Sequence, residues 1–137
     1  MSPEQIYTEA FAHGLRFSGV IVLSAVVALA LWRRGTERNR GFAAMTWSWC
    51  LVNTIVAILW FNHIRIPSPD QIVFVQDHLV YWMQINLAFD GFVLISGSLA
   101  YFIGKVWRAG DVFLGLAAGW ATQGLLLALL DAFFMWS

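Results

Sequence analysis

Three ionisable residues lie inside long apolar stretches of this 137-residue chain: Arg16, Asp90 and Asp131. Charge among lipid tails is costly, so such a residue marks a protein-lined interior or a functional site. One arginine against two aspartates leaves one negative charge without a partner. A carboxyl so placed can exchange a proton or bind a cation. The same residues can instead form ion pairs that fix helix register, since polar contacts between membrane helices contribute about 0.6–2 kcal/mol each. Ligand binding, with quinone or pigment as candidates, is a third reading.

More polar residues gather near the same level. Asn86 and Asp90 are four apart, hence on one helix face. Gln123 and Asp131 are eight apart, within roughly 80° of each other round a helix. Asn53 falls near the middle of the second apolar stretch. The candidate interior set is therefore Arg16, Asn53, Asn86, Asp90, Gln123 and Asp131, most of them expected to face one another.

His13, His63 and His78 fall at one predicted membrane edge, near Glu9, Asp70 and Asp77. Glu9 and His13 are four apart, a spacing that can put two ligands on one metal. Histidines also serve as amphipathic edge residues, and no His-Glu-x-x-His motif occurs, so these three are weak metal candidates and no metal is expected. The single cysteine, Cys50, has no intrachain disulfide partner and reads as a buried thiol. No Ser/His/Asp or Cys/His arrangement sits at a common depth, and no phosphate-binding glycine loop occurs. No catalytic residue is assigned and no cofactor is expected; a bound lipid, quinone or pigment stays open.

The elements that carry these residues follow from composition. Hydrophobic residues make up 60% of the chain and charged residues 12%, against roughly half and a quarter in soluble domains. The excess lies in runs of the length a bilayer-crossing helix needs. Spans are read at about 12–32, 42–61, 79–104 and 112–135, as a single all-α transmembrane domain with no room for a second, soluble one. The first span has no basic segment before it, and Trp32-Arg33-Arg34 follows it, so it is not read as a cleavable signal.

Charge distribution orients the spans. Arg33, Arg34, Arg38 and Arg40 crowd the loop 33–41, and Lys105 and Arg108 lie in the loop 105–111. The positive-inside rule makes both loops cytoplasmic and both termini external. Trp32 and Trp107 suit the inner interface; Trp60, Trp82 and Trp136 suit the outer one. Topology and anionic lipid account for the arginines, and no basic patch with interleaved aromatics suggests nucleic acid.

The chain reads as two similar helical hairpins. Ser2-Pro3-Glu4-Gln5-Ile6 is echoed by Ser68-Pro69-Asp70-Gln71-Ile72, both with the form of a capped helix start. Trp32-Arg33-Arg34-Gly35 is echoed by Trp107-Arg108-Ala109-Gly110, and Gly41-Phe42-Ala43-Ala44 by Gly115-Leu116-Ala117-Ala118. The copies differ in length: Ser2 to Trp32 is 30 positions and Ser68 to Trp107 is 39. The surplus, around Val73 to Tyr81, is expected to form a short surface helix or an outer extension of the third span. Arg16 lies 16 residues before Trp32 and Asp90 lies 17 before Trp107, so both sit about 25 Å above the inner tryptophans. An Arg16 side chain between spans three and four would reach either aspartate. Small residues, including Gly115 and Gly119 in a Gly-x-x-x-Gly spacing with Gly124 beyond, permit close helix approach.

Arg16-Phe17-Ser18-Gly19 faintly resembles the membrane-anchor subunit of succinate dehydrogenase, which carries Ser-x-x-His-Arg-x-Thr/Ser-Gly. Gly14 and Leu15 precede Arg16 here, so the serine–histidine half is missing and the resemblance is not adopted. The later spans are similar to a family of small bacterial four-helix membrane proteins of unknown function. The resembling stretches are Trp49 to Asn53, Asn86-Leu87-Ala88-Phe89-Asp90 with Gly97, and Gln123-Gly124 with Asp131. That resemblance implies a bundle in the bacterial inner membrane and brings no reaction, cofactor or catalytic residue. The expected function is a non-catalytic integral subunit or scaffold of a larger membrane complex, of respiratory or photosynthetic type. The alternative is a small proton- or ion-coupled transporter or channel acting as an oligomer. Expected partners are the lipid bilayer and either other membrane subunits or further copies of the chain.

Overall fold

A computed structural model describes residues 1–136. Four α-helices account for most of them: α1 Pro3–Arg33, α2 Glu37–His63, α3 Ile72–Val106 and α4 Asp111–Trp136. A single 3-10 turn, Pro69–Gln71, leads into α3. All four helices are long and apolar enough to cross a membrane. The shortest, α4, has 26 residues and is about 39 Å long, against a hydrocarbon core of about 30 Å.

The two echoed helix starts behave differently. At Ser2 the full capping box forms: the Gln5 N–H donates to Ser2 Oγ (3.2 Å) and the Ser2 N–H donates to Gln5 Oε1 (2.7 Å). At Ser68 the Gln71 N–H donates instead to the Ser68 carbonyl at 2.9 Å, closing the 3-10 turn, and no side chain caps α3. The surplus residues of the second copy then continue the helix, so α3 runs 35 residues without a break. It is an extended third helix and not a separate surface element.

The parallel pair α2 and α4 forms the centre, with α1 packed on α2 and α3 on α4. Two crossings hold this arrangement. A Cβ at Gly41 would strike the Val112 carbonyl, and a Cβ at Gly115 would strike the Arg38 carbonyl. Val112 is three residues before Gly115, and Arg38 three before Gly41, so the two backbones meet through equivalent positions. At the α3–α4 crossing, Gly97 meets Ala121 and Gly124 meets Leu94, again three residues before the opposing glycine. Burial follows the same correspondence. Gly41, Ala43, Cys50, Asn53 and Ala57 are buried in α2. The residues 74 positions on, Gly115, Ala117, Gly124, Leu127 and Asp131, are buried in α4.

Indole and thiol groups bridge the helices. Trp60 Nε1 donates to the Ala10 carbonyl at 2.9 Å, and Trp120 Nε1 donates to Ser96 Oγ at 3.1 Å. Cys50 is buried, its thiol 3.6 Å from the Ile21 carbonyl. Arg38 and Asp111 pair at 2.6 Å where α2 and α4 begin, but both are about half exposed and the pair adds little. The distribution of side chains inverts that of a soluble protein. His13, Asn53, Asp90, Gln123 and Asp131 are buried, while Val22, Leu51, Ile95 and Phe102 are each more than half exposed.

Candidate functional site

The buried stripe of α1 runs through Ile6, Ala10, His13 and Gly14, then Ser24 and Ala28. Its spacing follows one helix face, and Arg16 lies roughly 100° away from it. The consequences are opposite for the two basic residues. His13 turns inward and Arg16 turns outward. The Arg16 side chain is exposed, its guanidinium 5.0 Å from the centre of the Phe133 ring. The structure therefore separates Arg16 from the interior aspartates. Among the described residues the ion pairs are His13–Asp131 and Arg38–Asp111.

His13 Nε2 stands 3.4 Å from Asp131 Oδ1, both side chains less than a tenth exposed. The His13 ring packs against Trp60 (centroids 5.5 Å apart) and Phe134 (4.5 Å). Asp131 also lies within electrostatic reach of Asp90. The three groups form a chain across the bundle: α1 contributes His13, α4 Asp131 and α3 Asp90. Position in the packing explains the burial of Asp90. The Gly124 backbone lies close to the Asp90 carbonyl, which brings α3 and α4 into contact at the level of the acids.

A cavity of about 210 Å³ opens beside this chain, lined by residues of all four helices. His13, Asn53, Asn86, Asp90 and Asp131 are its polar lining; Trp49, Trp60, Phe17 and Phe89 are among its apolar walls. Two buried polar atoms of the cluster lack a hydrogen-bond partner: His13 Nδ1 and Asp90 Oδ2. Buried polar atoms are nearly always satisfied, so each is a place for a proton, water or ligand. A second cavity of about 450 Å³, lined by Gln5, Glu9, Gln76 and Phe134 among others, shares one residue with the first. That residue is Met83, which is 2% exposed.

The six residues expected to cluster are thus divided. Asn53, Asp90 and Asp131 are buried and line the cavity. Asn86 is exposed and lines its edge. Gln123 is buried at 2% exposure beside Gly124, away from the cavity lining. Arg16 is outside. His13 takes the basic place that the sequence had suggested for Arg16. The signal was present in the 3–4 residue spacing of Ile6, Ala10, His13 and Gly14.

The histidines do not converge. His63 Nδ1 lies 2.7 Å from its own helix carbonyl at Leu59. His78 Nε2 accepts from Trp82 Nε1 at 2.8 Å. Glu9, four residues before His13, is exposed. Among the described residues no group of three or more His, Cys, Asp or Glu side chains is placed to hold a metal.

These features define a class: an all-α four-helix bundle with membrane-length apolar helices and a polar interior. A family model described as a family of unknown function (DUF6992) matches residues 17–132, and the chain belongs to that family. The matched stretch contains Asn53, Asp90, Gln123 and Asp131, and begins beyond His13 and Arg16. No curated protein and no solved structure gives a match.

Proposed function

We propose that the chain is a multi-pass protein of the bacterial inner membrane that binds and exchanges a proton or cation at the Asp90–Asp131–His13 cluster. It acts as a small coupled transporter or channel. Both termini lie outside, and loops 33–41 and 105–111 face the cytoplasm. The basic residues of those loops support that orientation, and the exposed apolar girdle supports the bilayer. The reciprocal Gly41–Gly115 contacts and the matching burial of α2 and α4 support descent from a duplicated hairpin with its pseudo-two-fold axis along the membrane normal.

The observation that carries the reading is the unpartnered Asp90 Oδ2 on a cavity that also holds Asp131. Two carboxylates enclosed together need a proton or a cation between them. A purely structural ion pair would require only His13 and Asp131, with no unsatisfied acid beside a cavity. Four helices enclose little lumen, so an oligomer is expected. The test is flux into proteoliposomes after a pH jump or a salt jump. Asp90→Asn should abolish it while helicity is retained; undiminished flux in a folded Asp90→Asn protein defeats the proposal.

A second reading, a non-catalytic subunit of a larger membrane complex, is favoured by Gly19 and Gly91. A Cβ at either would meet nothing within 4 Å, leaving flat backbone on the outside of α1 and α3 against which another helix can lie. A subunit should co-purify stoichiometrically with its complex after mild solubilisation. Recovery as a lone homo-oligomer would refute this second reading.

A further inference from the structure

The cavity's lining narrows the chemistry of its occupant. Asp90 and Asp131 supply two carboxyl groups, and His13 stands against only one of them, Asp131. The acceptor without a hydrogen-bond partner is Asp90 Oδ2, on a residue 4% exposed. Around these acids the walls are aromatic: Phe17, Trp49, Trp60 and Phe89. A hard metal ion needs several oxygen or nitrogen ligands to replace its water, and no group of three His, Cys, Asp or Glu side chains is placed to hold one among the described residues. A quinone carbonyl needs a donor, whereas Asp90 Oδ2, the unpartnered atom of the acids, is a place for a cation. An organic cation fits both halves of the site. Its charge meets the carboxylates and its methyl or methylene groups meet the π faces.

We infer that the site takes a small organic monocation, a protonated amine or quaternary ammonium group, between the Asp90 and Asp131 carboxyls and the Trp49 and Trp60 rings. The inference rests on the exchange reading above and names its ligand. Size agrees: an apolar cavity of about 150 Å³ is enough for benzene, and this one measures about 210 Å³. Tetramethylammonium is of that order. Entry is from the external end. The larger cavity there carries Glu9, and the flexible Met83 side chain separates it from the acids.

The experiment uses the full chain in nanodiscs and saturation-transfer NMR. The probes are tetramethylammonium and its neutral near-isostere 2,2-dimethylpropan-1-ol. Transfer to the ammonium methyls is expected, with none specific to the alcohol. Trp49→Leu should weaken ammonium binding about thirtyfold, the size of a desolvated cation–π contact. Asp90→Asn should abolish it, and Asp90→Glu, which keeps the charge, should retain it and so guards against a folding artefact. Equal transfer to the alcohol, or full ammonium binding in a helical Asp90→Asn protein, overturns the inference. Asp90-dependent proton flux without ammonium binding also overturns it, while leaving the exchange reading in place. Ammonium binding that requires Asp90 upholds it even if flux is absent.

Discussion

Replacing Gly115 by alanine tests the central crossing, because the same change at Gly19 should act in the opposite direction. Glycine within a helix is less favourable than alanine by about 1 kcal/mol. At Gly19 the added methyl meets nothing within 4 Å, so that gain should appear as a stabilisation of about 0.5–1 kcal/mol. At Gly115 it meets the Arg38 carbonyl and the Phe42 amide. Both are backbone, and no rotamer change can relieve them. The helices α2 and α4 must separate, at an overpacking cost of about 1–3 kcal/mol that rises when rigid groups collide. The balance is a destabilisation of about 1–2 kcal/mol, a five- to thirtyfold change in the unfolding equilibrium. Gly41→Ala should match it, since the contacts are reciprocal. The double variant should fall short of the sum, because one separation relieves both clashes. The assay is reversible unfolding in mixed micelles, followed by helicity. A Gly115→Ala protein as stable as the parent, or a Gly19→Ala protein weakened to the same degree, would refute the crossing.

Three other outcomes are expected. His13→Leu leaves Asp131 buried without its partner and should cost about 1–3 kcal/mol in the same unfolding assay. Adding Asp131→Leu should recover most of that loss; no recovery means that the pair is not coupled. Arg108 has φ +54°, a left-handed conformation costing a side chain about 1–2 kcal/mol. Arg108→Gly should therefore stabilise the chain by up to about 1 kcal/mol, and a destabilised variant would count against that backbone. The orientation predicts that single cysteines at Ser2 and Ser68, in a Cys50→Ser background, react with an impermeant thiol reagent outside intact cells. Cysteines at Thr36 and Ala109 should not, and labelling of the second pair alone would reverse the topology.

The four helices were legible because each must bury its own backbone polarity over a long apolar run, and length alone reveals that. Close approach at Gly41 and Gly115 was legible in outline, since the echoed Gly-x-Ala-Ala segments mark small residues in both halves. The site was harder to read. A residue's depth can be counted along a helix, but its direction depends on which face packs, and Arg16 and His13 differ by only three residues. The long arginine stem also lets its charge leave the interior, whereas imidazole has no such reach. Asp90 and Asn86 show the same limit. They share a face by spacing, yet Asp90 is buried and Asn86 is exposed, because Gly124 packs against α3 only at the later turn. The Ser68 motif also promised a capping box, but its backbone folded into a 3-10 turn before the side chain could cap.

The outward turn of Arg16 sets the electrical position of the cluster. In the proposed orientation its guanidinium, resting over Phe133 on the bundle surface, snorkels toward the external headgroups. His13 is three residues away, about 4.5 Å along the helix axis. In the proposed orientation the acids therefore lie close to the potential of the external solution. About 25 Å of helix separates this level from the inner tryptophans, and most of the membrane voltage falls across that stretch. Each charge carried the full way exchanges about 2.3 kcal/mol with the field per 100 mV. Loading from outside should then be nearly blind to voltage, while onward passage to the cytoplasm should respond to almost all of it.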